Sequence, residues 1–120
     1  MIADIRMGDV SDFRNFMGAV IDQKAFVRLS GYLAQARKDR GVSILAGGNA
    51  DDRKGWFIEP TLIQVKDPAY RTMCEELFGP VLTVYVYPDK DWLSTLQLVD
   101  STGPYALTGA VFSQDRRALA

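Results

Sequence analysis

The sequence predicts an α/β domain with a mostly parallel sheet, βαβ units and flanking helices. Two segments carry apolar residues at helical spacing, and between them lies a charge-free run rich in β-branched and aromatic residues at 81–87. That run, the helix after it and a further apolar segment make strand, helix and strand within about 30 residues, which is the length of a βαβ unit. Such a unit implies a right-handed crossover and parallel strands.

The first helix is predicted over Ile21 to Arg40. Basic residues gather near its end, and Gly41 follows as a stop signal. Its apolar stripe, at spacings of three and four residues, consists of Ala25, Leu29, Tyr32, Leu33 and Ala36.

Two strands are predicted after this helix. The run "VSILAGG" at 42–48 is apolar and closed by two glycines, which is typical of a buried strand that enters a turn. The run "WFIEPTLIQV" at 56–65 predicts a second strand, at an edge or interrupted at Pro60, because proline has no N–H to donate. The segment "KDPAY" at 66–70 predicts a turn.

The second half begins with "VLTVYVY" at 81–87, which predicts a strand covered on both faces because it carries no charge. A helix follows, with Asp91 as its expected N-cap. Its expected inner face consists of Trp92, Leu96 and Val99. The run "TGAVF" at 108–112 predicts the last strand. The final "SQDRRALA" begins like a capped helix and stops after about one turn, so we expect a fragment of a longer domain.

Composition excludes several functions. A net charge of -1 gives no reason to expect nucleic acid or a membrane surface as partner, and no apolar run approaches the length of a membrane helix. The single cysteine excludes an internal disulfide framework. Because the chain has no histidine, it cannot contain a Ser-His-Asp or Cys-His arrangement or a histidine-based zinc site.

Three further features each have two interpretations. Cys74 is either a nucleophile or a buried structural thiol, and its neighbours Glu75 and Glu76 favour the second, since negative charge disfavours a thiolate. The glycines at 47 and 48 end a strand or bind phosphate, but no phosphate-loop pattern is present. The aspartates at 51 and 52 belong to a polar turn or bind a metal.

The tryptophans at 56 and 92 occupy apolar positions and are expected in the core.

The segment "EELFGP" at 75–80 combines a carboxylate, a spacer and an aromatic residue before a Gly-Pro turn. A fixed carboxylate can accept hydrogen bonds from two sugar hydroxyls, and an aromatic ring can pack against a flat ring. The alternative places Phe78 in the core and the glutamates at the exposed end of a short helix. The residues alone leave both possibilities open.

The chain resembles the aldehyde dehydrogenase superfamily. "EELFGPVL" is similar to its E-E-[IL]-F-G-P-V pattern, "AGGNADDRKGWFIEPTLIQV" to an upstream stretch and "STGPYALTGAVFS" to a downstream stretch. These stretches occur in the expected order and cover nearly the whole chain. Ala106 stands where most members have glycine.

The resemblance implies that residues 1–120 are part of the catalytic domain of an NAD-dependent enzyme. Glu76 would bind the nicotinamide-ribose hydroxyls, Phe78 would pack near the nicotinamide, and Leu107 would line the same pocket. The cysteine nucleophile and general base would lie outside this chain, so no catalytic residue and no metal ligand is assigned within it.

The branch most similar to "NFMGAVIDQKAF" and to 81–116 oxidises L-glutamate gamma-semialdehyde, which is the small-molecule substrate we expect. The full-length enzyme is expected to be a homo-oligomer in the bacterial cytoplasm or the mitochondrial matrix. The alternatives are another aldehyde dehydrogenase subfamily, a non-catalytic α/β binding module, or a cysteine hydrolase that uses Cys74 and Glu76.

Overall fold

A computed structural model describes residues 1–105 and 107–119, so the departure at Ala106 lies outside the described residues. The helices are α1 (Gln23–Ala36), α2 (Arg71–Cys74) and α3 (Trp92–Ser101). The strands are β1 (Val42–Ala46), β2 (Ala50–Asp51), β3 (Phe57–Ile58), β4 (Thr61–Val65) and β5 (Val81–Tyr85). Single 3-10 turns cover Ile2–Asp4, Asp89–Asp91 and Arg116–Ala118.

Helix α1 confirms most of the predicted apolar stripe. Its N-cap is Asp22, whose carboxylate accepts a hydrogen bond of 2.7 Å from the Ala25 amide. It ends at Ala36, four residues before the predicted Arg40, and Gly41 adopts a φ of +78° in the turn that follows. The buried residues of α1 are Leu29, Tyr32, Leu33 and Ala36.

A three-stranded sheet in the order β1-β4-β5 packs against α1. The central strand β4 turns Thr61, Ile63 and Val65 inwards, as the period-2 alternation of a half-buried strand requires. Strand β4 pairs in parallel with β5, and α2 lies in the connection between them. This βαβ unit confirms the predicted α/β class. As predicted, Pro60 interrupts the 56–65 run, which forms β3 and β4 as separate strands.

The sheet differs from the mostly parallel sheet that the sequence predicts. Strand β1 runs antiparallel to β4, because the connection between them holds the short β2–β3 pair and no helical crossover. The predicted strand at 108–112 does not form in the described part of the chain, so the predicted βαβ unit through α3 is absent there. Strand propensity alone does not produce a strand, because each strand needs a partner.

Helix α3 forms where predicted, and of its three expected inward residues Trp92 is half-buried while the other two are exposed. The expected inward residues Leu96 and Val99 are 42% and 72% exposed, and the half-buried positions are Trp92, Thr95 and Leu98. Asp91 precedes the helix, yet its carboxylate makes no capping hydrogen bond.

Two expectations about the core are wrong for the described residues. Trp56 is 38% exposed and so lies at the surface of the fold. The run at 81–87 is not covered on both faces, since Leu82 and Val86 are 58% and 68% exposed. Both residues lie on the edge strand or just after it, and no further strand pairs with that edge in the described part of the chain. No helix in the described ranges has both the length and the apolar character that a bilayer span requires.

Candidate functional site

The candidate site is built on the loop 75–80, which connects α2 to β5. Leu77 belongs to the hydrophobic core at 7% exposure, and the residues on either side of it, Glu76 and Phe78, are exposed. Of these three side chains only that of Leu77 faces the core, and its two neighbours face outwards. The loop therefore presents a carboxylate and an aromatic ring at the surface.

Phe78 adopts a left-handed backbone conformation, with a φ of +46°. Positive φ is unfavourable for a bulky side chain and persists only where the surrounding structure enforces it, which is common at functional sites. The ring is 81% exposed. The interpretation that placed Phe78 in the core is therefore wrong, and Leu77 occupies the core in its place.

Two side chains of α1 bind this loop. The Arg28 guanidinium donates hydrogen bonds to the carbonyl oxygens of Glu76, at 3.3 Å, and Leu77. The Tyr32 hydroxyl donates to the Glu75 carboxylate. The Arg71 guanidinium carbon lies 4.1 Å above the centre of the Tyr32 ring.

The two adjacent carboxylates differ in their partners. Glu75 accepts from Tyr32 and lies 3.5 Å from Arg71 Nε, so its position is fixed from two sides. The Glu76 carboxylate makes no hydrogen bond or ion pair with the residues that the structure describes. An exposed carboxylate that accepts no protein hydrogen bond retains its full capacity for a ligand.

A cleft of about 450 Å³ opens beside Glu76. One wall comes from the end of α2 and the start of the loop, and the other comes from α3, the end of β5 and the residues that follow these two elements. The lining residues are Met73, Cys74, Glu75, Glu76, Tyr85, Tyr87, Thr95, Leu98, Val99, Thr102, Gly103 and Tyr105. Of the three predicted cofactor-contacting residues, the structure places Glu76 in this lining. Phe78 and Leu107 lie outside it, and Leu107 is 99% exposed.

Cys74 lines the same cleft, and its surroundings favour the structural interpretation. Its thiol is half-buried and lies 3.5 Å from the backbone carbonyl oxygen of Ala69, to which it can donate a weak hydrogen bond. A nucleophilic cysteine instead needs a base or a cation that stabilises its thiolate. Among the described residues, no such group is bonded to the Cys74 sulfur.

The glycine pair at the end of β1 serves the fold. Gly47 has a φ of +67°, and a Cβ atom there would collide with the Pro60 carbonyl oxygen. The Gly48 amide donates to Thr61 Oγ1 at 2.9 Å. That amide is therefore already bonded and does not face a phosphate, as the strand-end interpretation predicts.

Of the two aspartates, Asp51 lies at the end of strand β2, and Asp52 begins the polar turn that follows. Arg53 lies 2.6 Å from the Asp51 carboxylate, and its hydrogen bonds lower the pKa of Asp51 to about 2. Within residues 1–105 and 107–119, no cluster of three or more acidic, cysteine or histidine side chains could hold a metal ion.

Sequence reasoning missed Arg28 and Tyr32 as residues of this site. Both were part of the predicted helix, and their spacing of four residues places them on one face. The sequence carries no signal for their partner, because 48 residues separate Arg28 from Glu76.

The fold and this loop define the class of the protein. The aldehyde dehydrogenase family model matches residues 1–120 of the chain, and the chain therefore belongs to that family. This confirms the resemblance that the sequence motifs indicate.

More specific similarity is to delta-1-pyrroline-5-carboxylate dehydrogenases. The chain is 54% identical over 116 residues to the mitochondrial enzyme of that name from Danio rerio, covering 96% of this chain and 21% of the relative. The delta-pyrroline-5-carboxylate dehydrogenase structure from Mycobacterium tuberculosis bound with NAD superposes with a TM-score of 0.85 at 41% identity. That match covers 98% of this chain and 21% of the other.

A third match comes from another subfamily. A betaine aldehyde dehydrogenase from Staphylococcus aureus in complex with NAD+ superposes with a TM-score of 0.80 at 33% identity, over 98% of this chain and 23% of the other. The chain thus spans about a fifth of the length of the relatives it matches.

Proposed function

We propose that residues 1–120 are part of the catalytic domain of an NAD-dependent aldehyde dehydrogenase. Its substrate is L-glutamate gamma-semialdehyde, the open-chain form of 1-pyrroline-5-carboxylate, and its product is glutamate, as in proline catabolism. The 54% identity to the Danio rerio enzyme supports the substrate assignment, and the NAD in two of the matched structures supports the cofactor. The structural observation that carries the proposal is the Glu76 carboxylate, unpaired within the described residues, on the wall of a cleft.

The residues of the loop fit the chemistry of NAD. A nicotinamide ribose offers two adjacent hydroxyl donors, and a carboxylate such as that of Glu76 has two oxygens that accept them. The exposed Phe78 ring offers a flat apolar surface for the nicotinamide, and we assign Leu107 to the same pocket from the family pattern. When bound, NAD supplies the acceptor for the hydride that the aldehyde substrate loses.

The residues of this chain position the cofactor, and the covalent chemistry belongs elsewhere in the enzyme. Glu76 orients the cofactor through the ribose, and Phe78 packs near the nicotinamide. The cysteine nucleophile and the general base are assigned outside residues 1–120. Cys74 is a packing residue in this assignment.

Partners and location follow from the family. The ligand is a small molecule, and we expect a homo-oligomeric full-length enzyme with no nucleic-acid or membrane partner. The Danio rerio relative is named mitochondrial. We therefore expect the mitochondrial matrix for a eukaryotic source and the cytoplasm for a bacterial one.

The test is NADH formation by the full-length protein that carries this chain. Glutamate semialdehyde should be oxidised with a kcat/KM at least about 100-fold above that of betaine aldehyde, because an unsuited substrate leaves polar groups of the site unpaired. The reverse preference would assign the chain to another subfamily. Absence of NADH formation with any aldehyde would support the non-catalytic binding module.

A further inference from the structure

We propose that Arg28 and Tyr32 of α1 are positioning residues that set the Glu76 carboxylate in the geometry required for cofactor binding. This inference rests on the proposed function and deepens it. Neither residue is assigned a contact with the cofactor. Both act through the backbone and side chains of the loop 75–80.

The two residues are one helical turn apart, so they lie on the same face of α1. Arg28 donates to the carbonyl oxygens of Glu76 and Leu77, and Tyr32 donates to the carboxylate of Glu75. Three successive residues of the loop are thus bound by one helix face, and Glu76 is the middle one. Its backbone is fixed on both sides, and its carboxylate is left unpaired within the described part of the chain.

The loop needs such support because its conformation is unfavourable on its own. Phe78 has a positive φ, which is unfavourable for a residue other than glycine and has to be held by its surroundings. The next residue, Gly79, contacts Leu29, which is on α1 between Arg28 and Tyr32. One turn of α1 therefore contacts the loop on both sides of Glu76.

Anchoring of α1 does not explain these polar contacts. Leu29, Leu33 and Ala36 are each at most 1% exposed and already bury the helix against the sheet. Arg28 is exposed, and both of its hydrogen bonds go to the loop. The helix would keep its packing without the guanidinium, but the loop would lose two of its bonds.

The experiment uses the full-length enzyme with Tyr32→Phe, Arg28→Met and Arg28→Lys. Tyr32→Phe removes one hydroxyl and keeps the ring that Arg71 covers, so it is the variant least able to disturb folding. Lys24→Met is the control, because Lys24 is an exposed cation of α1 with no hydrogen bond to the described residues. The Kd for NAD+ is measured by calorimetry, ester hydrolysis is measured without NAD+, and amide hydrogen exchange of residues 75–79 is measured in the apoenzyme.

We expect Tyr32→Phe and Arg28→Met to raise the Kd for NAD+ about 3- to 30-fold, the range for residues that act through others. Exchange of the 75–79 amides should accelerate, ester hydrolysis should stay within about 3-fold of the parent, and Arg28→Lys should restore part of the affinity. Lys24→Met should change none of these.

The outcomes separate this inference from the proposed function. If Glu76→Gln weakens NAD+ binding but Tyr32→Phe leaves the Kd and the exchange unchanged, the positioning inference is wrong. If Glu76→Gln itself leaves NAD+ binding unchanged, the proposed role of Glu76 is wrong. If Tyr32→Phe lowers NAD+ affinity and esterase activity by the same factor and also lowers the thermal stability, the role of Tyr32 is purely structural and the inference is overturned.

Discussion

Gly79 lies directly against Leu29. A Cβ atom on Gly79 would be 2.5 Å from Leu29 Cδ1 and 2.8 Å from Leu29 Cδ2, and Leu29 is fully buried. The φ of Gly79 lies outside the left-handed region, so its backbone conformation does not require glycine. Glycine is required here because of the close approach to Leu29. The Gly-Pro turn of the family motif therefore allows the loop that carries Glu76 to contact α1.

Gly79→Ala should destabilise the protein by about 1–3 kcal/mol, the usual cost of forcing a methyl group into a packed core. The measurement is the free energy of unfolding in urea. Gly31→Ala is the matched control, because a Cβ atom on Gly31 in the middle of α1 meets nothing within 4 Å. That control should stabilise the helix by about 0.4–1 kcal/mol. If the two variants have the same free energy of unfolding, the Leu29 side chain has moved aside without a loss of stability.

Glu76→Gln should lower the NAD-dependent kcat/KM roughly 10- to 150-fold. The substitution keeps the shape of the side chain but removes its charge and one acceptor, and a hydrogen bond to a charged group contributes about 1.5–3 kcal/mol. Ester hydrolysis needs no hydride acceptor and should fall much less. Asp89→Asn, at an exposed position of a 3-10 turn, should leave both activities unchanged. Equal losses of dehydrogenase and esterase activity in Glu76→Gln would contradict the assigned role.

Cys74→Ser in the full-length enzyme should leave kcat within about 3-fold of the parent value. Serine preserves the small polar side chain and can still donate to the Ala69 carbonyl oxygen, so only packing changes. The variant is compared with the parent after circular dichroism has shown that both are folded. A loss of several hundred-fold in kcat would identify Cys74 as the nucleophile.

The isolated 120-residue chain should show no aldehyde dehydrogenase activity. It contains one cysteine and no histidine, and among the described residues no base is bonded to that cysteine. The assay follows NADH formation from glutamate semialdehyde against a no-protein blank, with the full-length enzyme as positive control. Turnover above the blank would mean that this chain carries its own nucleophile.

The stabilising contribution of the Tyr70 hydroxyl should be lost at alkaline pH. Burial and the 2.9 Å hydrogen bond to Asp39 raise the pKa of Tyr70 from 10.0 to about 12. Between these values the folded state binds more protons than the unfolded state, so this stabilisation is complete below pH 10 and is lost as the pH rises through 12. The free energy of unfolding in urea should therefore fall less between pH 9 and pH 11 in Tyr70→Phe than in the parent.

Sequence reasoning worked where the determining forces are local. The stripe through Leu29 and Leu33 is buried as predicted, because the periodicity of a long amphipathic helix reports directly which face is covered. Pro60 interrupts its strand for an equally local reason, the missing N–H. For α3, whose Val99 is exposed, periodicity indicated an apolar face but not what covers it.

The site could be predicted only in part for the same reason. Glu76 was identified from a contiguous motif, and the structure places it in a cleft. The contact between Arg28 and the loop joins residues 48 positions apart, and no local pattern encodes such a contact. The positive φ of Phe78 was equally invisible, since an aromatic residue gives no warning of a left-handed backbone.

The outer position of β5 has a practical consequence for producing this chain alone. In the described part of the chain β5 pairs only with β4, so the backbone donors and acceptors along its other side have no strand partner. The segment "VLTVYV" has no charge and no proline, which is the composition of strands that recruit copies of themselves into aggregates. Expression of residues 1–120 alone should therefore leave part of the product in inclusion bodies. Leu82→Lys, at an exposed position of β5, should shift the product towards the soluble fraction.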